Sequence, residues 1–152
     1  MSGSFDIGAV KEALAAKILA AYQAAGWRCN VYAYPPVDPL APCVMIDTGP
    51  VEYHQTFGTV GVAGLTLTIT VRVSAGSARE VDALMECDRV LSTGTPESLF
   101  DAVSLNRYAL TGVEGWAIVL TSATGPELRS TVDGTREWYS ITFTAALARA
   151  KG

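Results

Sequence analysis

The run LTLTITVRV at 65–73 constrains the fold more than any other part of the chain. Leu65, Leu67, Ile69, Val71 and Val73 alternate without a break with Thr66, Thr68, Thr70 and Arg72. Successive side chains of a strand point to opposite faces, and β-branched residues fit that pleated surface. The run is therefore a strand with one aliphatic face to bury and one hydroxyl face. A strand cannot bury a face alone, so the chain must supply a sheet and a layer to cover it.

The covering layer is visible upstream. Ile7, Val10, Leu14, Ile18, Tyr22 and Ala25 recur at spacings of three and four, one stripe of an amphipathic helix, while Lys11, Glu12, Lys17 and Gln23 fall elsewhere. Ser4 or Asp6 is placed to cap its start and Gly26 to end it. The period then changes. Residues 27–34 read as a strand, stopped by Pro35 and Pro36, with Pro39 and Pro42 keeping the connection extended. Residues 43–48 read as a second short strand. The polar, glycine-punctuated stretch 49–64 reads as a long hairpin loop or arm, unusual in a compact domain unless it has a task.

Downstream, Ser77 and Glu80 have the S-x-x-E spacing of a capping box. The helix they open runs to about Leu91 and places Val81, Leu84, Asp88 and Leu91 on one face, with Asp88 on or beside the apolar stripe. Thr95 and Pro96 suit the first positions of another short helix carrying Leu99, Phe100 and Val103. Residues 116–121 and 138–147 alternate again and read as a hairpin whose enlarged polar tip is 122–134. The expected fold is α+β, a mostly antiparallel sheet of about five strands packed with an N-terminal helix and a central helix pair. Its order is α-β-β-β-α-α-β-β, in one domain spanning 1–152.

Composition narrows the function classes. With 11 basic and 15 acidic residues the net charge is −4, which argues against a basic nucleic-acid-binding face. Charged residues are 17% of the chain, below the roughly 25% usual for soluble domains. Much surface is then neutral or apolar, the kind that oligomers hide. Cys29, Cys43 and Cys87 lack C-x-x-C spacing and read as buried, reduced thiols of a protein made in the cytoplasm. No basic residue precedes an apolar run at the N-terminus, so no signal peptide is expected, and no run is long and apolar enough to span a bilayer.

No catalytic motif stands out. His54 is the only imidazole, and no G-x-S-x-G elbow accompanies it. Gly58, Gly61 and Gly64 precede a strand, so they offer no helix N-terminus to a phosphate. The acidic residues form no D-x-D-x-D loop. A small enzyme would have to draw on His54, Asp88 or Cys87. A ligand-binding module would use the strand aromatics Tyr32, Tyr34, Trp116, Trp138 and Tyr139, which read more readily as core or subunit contacts. No catalytic residue, metal site or cofactor is expected.

Taken together, the helix ending at Ala25-Gly26, the strand leading into a proline-rich connection, LTLTITVRV at 65–73, the acidic helix VDALMECDRVL at 81–91, the Trp116 strand and the closing YSITFTAAL at 139–147 resemble the tail terminator proteins of long-tailed bacteriophages, also called minor tail or tail completion proteins. The resemblance covers nearly the whole chain and lies in patterns, with no single motif residue. It implies a virion protein at the tail–neck junction. Six copies would form a ring that caps the tail tube, ends its polymerisation and meets the tail tube protein and the head completion or stopper protein. Viral DNA would pass through the ring without sequence-specific binding, and neither enzyme activity nor a membrane would be involved. Another neck or tail component, a head closure protein or a tube subunit, is the neighbouring alternative. Loop position then nominates Tyr53, His54, Gln55 and Phe57 as arm contacts. It nominates Glu127, Arg129 and Asp133 at the hairpin tip as interface or lumen residues.

Overall fold

The computed structural model describes residues 6–56, 59–74, 80–104, 110, 116–134 and 136–149. The elements are α1 (Ile7–Ala25), β1 (Asn30–Tyr32), β2 (Cys43–Thr56), β3 (Thr59–Ser74), α2 (Glu80–Leu91), α3 (Leu99–Ser104), β4 (Trp116–Ser130) and β5 (Glu137–Arg149). The architecture is α+β, in the order α-β-β-β-α-α-β-β. One five-stranded sheet runs β1-β2-β3-β5-β4, antiparallel except for the short parallel pair β1–β2.

The alternation of β3 sorts the molecule into layers. Leu67, Ile69, Val71 and Val73 are fully buried, together with Val44 and Ile46 of β2, Ile118 of β4 and Ile141 and Ala145 of β5. All three helices lie on this side. α1 contributes Val10, Leu14, Ile18 and Tyr22, α2 contributes Ala83, Cys87 and Val90, and α3 contributes Leu99 and Val103, making one continuous core. Each such Leu or Ile contributes about 1.5–3 kcal/mol through burial. The opposite sheet face carries no helix. There Thr70 pairs with Thr142 and Thr68 with Thr144, while Thr142 and Thr144 pair in turn with Thr124 and Ser122 of β4. These cross-strand hydroxyl neighbours form a polar ladder over three strands.

Local chemistry explains the element ends. Asp6 caps α1, its side chain accepting from Gly8 N and Ala9 N at 2.9 and 3.4 Å. Ser4 lies outside the described residues. Gly26 closes α1 in the left-handed region at φ 81°, where a side chain would be strained. The expected strand over 27–34 shrinks to Asn30–Tyr32. Trp27 instead turns back onto the helices, its ring edge-on to Tyr22 at 4.7 Å and its Nε1 donating to Glu86 Oε1 at 3.0 Å. Lys11, expected off the apolar stripe, is buried with its Nζ 4.1 Å from the Tyr34 ring centroid.

The two helices after β3 also depart from expectation. Glu80 begins α2, and Ser77 lies outside the described residues. The face turned to the sheet is Ala83, Cys87 and Val90, not Val81, Leu84 and Asp88. Small side chains let the helix approach closely, so the larger apolar residues face outward. Thr95 does not cap α3. Its hydroxyl donates to Arg89 O at 2.5 Å, closing the end of α2. Ser98 is the cap, its Oγ accepting from Asp101 N at 3.1 Å, and the helix begins at Leu99.

The largest departures concern 49–64, expected as a long hairpin loop or arm, and 122–134, expected as the enlarged polar tip of a hairpin. β2 and β3 run through the first as paired strands, Tyr53 opposite Val62 and Thr56 opposite Thr59. β4 runs through most of the second to Ser130, leaving a turn at 131–134. Each long strand slips register by one residue at the same tripeptide, Thr48-Gly49-Pro50 in β2 and Thr124-Gly125-Pro126 in β4. A Cβ on Gly49 would sit 2.6 Å from Thr66 O, and one on Gly125 would sit 2.7 Å from Ser140 O. Only glycine fits such a bulge.

Candidate functional site

Three surfaces are left unused by the core. The first is the arm. Among the described residues β5 pairs with β3 as far as Gly64 opposite Ala148, and from Tyr53 and Val62 outward the described part of the β2–β3 hairpin is two strands wide. Tyr53 is 69% exposed there. His54 and Gln55 lie on β2, opposite Gly61 and Val60, with only their backbone described, and Phe57 falls outside the described residues.

The second surface is the other end of the sheet. β3 runs from the arm to Ser74, which pairs with Trp138 beside the β4–β5 turn. The arm and this turn are therefore separated by the length of β3, about 50 Å at 3.3 Å per residue. Glu127 and Arg129 project from β4 on the helix-free face and pair with each other at 2.7 Å. Asp133 sits in the turn, where its Oδ1 accepts from Thr131 Oγ1 at 2.6 Å. The sequence-nominated residues thus form two groups at opposite ends rather than one site.

Beside this turn the proline-rich connection 35–41 folds over the helix-free face and leaves a cleft of about 580 Å³. Its floor is Met45, Thr70, Arg72 and Trp138. The Arg72 guanidinium lies over the Trp138 ring at 4.4 Å. Arg72 Nε is buried without a hydrogen-bond partner among the described residues. Arg136 Nη2 donates to Asp38 Oδ2 at 2.9 Å, tying the connection to the β4–β5 turn. Composition and periodicity do not bring these residues together. The only sequence signal is a pair of prolines beside a strand whose single charge, Arg72, interrupts a run of threonines.

The third surface is the outer side of α2 and α3. On α2, Val81 (61% exposed) and Met85 (51%) form an apolar stripe with Leu84 beside it and Asp88 exposed on the same side, while on α3 Phe100 (41%) is also exposed. The three residues on which an enzyme reading would rely do not converge. Cys87 points into the core, Asp88 faces outward and His54 is in the arm. Burial pushes the Cys87 thiol up to about 11, away from a reactive thiolate. Cys43 is buried and Cys29 partly buried, both thiols being free. No group of three or more His, Cys, Asp or Glu side chains suited to a metal ion occurs among the described residues. No described helix is long and apolar enough to cross a membrane. Compared with known proteins, the chain matches no family model and no curated protein.

Proposed function

We propose that this chain is a structural subunit that assembles into a closed ring, acting as a phage tail terminator. Six copies cap the tail tube, stop its growth and join it to the neck, and DNA passes through the opening. The observation that carries this reading is the arm. An isolated two-stranded hairpin is marginally stable in water, so one that overhangs its own sheet is best explained by a neighbour that receives it. The exposed apolar stripe of α2 supports the same reading, since a head-to-tail ring needs two different contact faces on each copy. The Gly-Pro bulges, one on the edge strand β4 and one on the stretch of β2 beyond its pairing with β1, add to it, because they oppose unlimited strand-to-strand growth.

Light scattering of the purified chain, followed by negative-stain imaging of the same sample, tests this. Closed rings of one size are expected. A variant with 54–61 replaced by Asn-Gly, joining Tyr53 to Val62 through a tight turn, should remain folded by circular dichroism and fail to form rings. Open tubes would identify a tube subunit instead. A chain that stays monomeric at every concentration, and behaves like the shortened variant, would overturn the ring reading.

A further inference from the structure

We infer that the cleft between the 35–41 connection and the helix-free sheet face is a docking site for an extended segment of a partner protein, one acidic side chain flanked by basic residues. The argument starts from Arg72. Its guanidinium is stacked on Trp138, its Nε–H is cut off from water, and it forms no ion pair among the described residues. An oxygen entering the cleft cannot reach an atom that water cannot touch, so Nε stays covered, but the guanidinium as a whole carries a charge for which the described residues supply no counter-ion. A carboxylate entering the cleft supplies that counter-ion at the outer Nη edge of the guanidinium fork.

The other acids around the cleft determine the rest of the sequence preference. Asp38 is neutralised by Arg136, whereas Asp47 and Glu137 are exposed at the rim. An all-acidic segment would be repelled by them. A single acid over Arg72 with a Lys or Arg on either side satisfies all three charges. The walls suit an apolar neighbour, since Val37 and Leu40 are exposed at 105% and 58% on a connection stiffened by three prolines, Pro35, Pro36 and Pro39. A preformed cleft of this kind loses little entropy on binding.

The test uses the full chain and two synthetic probes, acetyl-Lys-Leu-Glu-Leu-Lys-amide and its Glu→Gln counterpart, followed by tryptophan fluorescence. The Glu probe is expected to change the emission saturably and the Gln probe to bind about tenfold more weakly or worse. Arg72→Met keeps an unbranched side chain over Trp138 and should abolish the difference between the probes. Trp138→Phe should remove the spectral change while isothermal titration still detects the Glu probe. If Arg72→Met fails to fold, Asp47→Asn with Glu137→Gln replaces it, and the Glu probe, its lysines left without partners, should bind several-fold more weakly than to the parent chain; unchanged affinity would overturn the proposal. Equal affinity for the two probes, no saturable change, or inorganic phosphate displacing the Glu probe at equal concentration would each overturn the proposal. None of these outcomes depends on whether the chain forms rings.

Discussion

At the scale of single residues, Trp27 shows how one side chain replaces a predicted strand. Its ring fills the space beside Tyr22 and its N–H finds Glu86, and those two contacts tie the end of α1 to α2. Trp27→Phe keeps an aromatic ring, though a smaller one, beside Tyr22 and deletes the donor. A loss of about 1 kcal/mol is expected in urea unfolding, with a fall in Tm of about 2–4 °C. Glu86→Gln, which keeps an acceptor oxygen, should cost less. The thiols make a second residue-scale prediction. Burial, reinforced by Cys43 and Glu86, pushes Cys29 up to about 12, and burial with Glu86 and Asp88 pushes Cys87 up to about 11. In the unfolded chain the same groups titrate near 9.0, so the folded state holds these protons more tightly. Their contribution is complete below about pH 9 and is lost as pH rises through 11 and 12. Urea midpoints should therefore fall across the alkaline range, and the fall should be shallower in a Cys29→Ala, Cys87→Ala variant.

At the scale of elements, the repeated Thr-Gly-Pro bulges are the most exposed to test. Gly49→Ala and Gly125→Ala each drive a methyl group against a backbone carbonyl, at 2.6 and 2.7 Å, and should destabilise by about 1–3 kcal/mol. Gly125→Ala should be the worse, because its φ of 112° strains any L side chain. Pro50 and Pro126 withhold an N–H on the outer strands, β2 being covered by β1 only over Cys43–Met45. A Pro50→Thr, Pro126→Thr variant should aggregate with rising thioflavin fluorescence where the parent stays clear. The same strands show why part of the fold was hard to read. Alternation appears in a sequence only where one strand face is buried. The helices cover the middle of the sheet, and there Leu65–Val73 and Tyr139–Leu147 announce themselves. Past Leu120, β4 overhangs that cover, with nearly every residue exposed. The period vanishes, and 122–130 resembles a loop. The arm is obscured for the same reason, and the bulges shift what pattern remains. α2 misleads differently, since it has two apolar stripes and the one with small side chains wins the sheet.

At the scale of the whole molecule, the architecture was legible because one core decides it, whereas the cleft was not, because its residues come from four separate segments and meet only through topology. Charge is the whole-molecule property that bears most directly on the proposed ring. The sum of 11 basic and 15 acidic residues is −4 per copy, and assembly multiplies it. On the helix-free face Arg129 is paired with Glu127 and Arg136 with Asp38, which leaves Arg72, stacked on Trp138 within the cleft, as the described arginine there without an ion pair. DNA binding is driven by cations that displace counterions from phosphates, and here few are available to do so. If copies assemble into the proposed ring, a net negative charge on each would disfavour tight binding of duplex DNA within it, which would let DNA slide through. Fluorescence anisotropy of a labelled short duplex should show no saturable binding at near-physiological salt, whether the chain is monomeric or assembled. Affinity that saturates and falls steeply with added salt would reveal a cationic surface that this charge distribution does not supply, and would remove the physical basis for free passage of DNA through the ring.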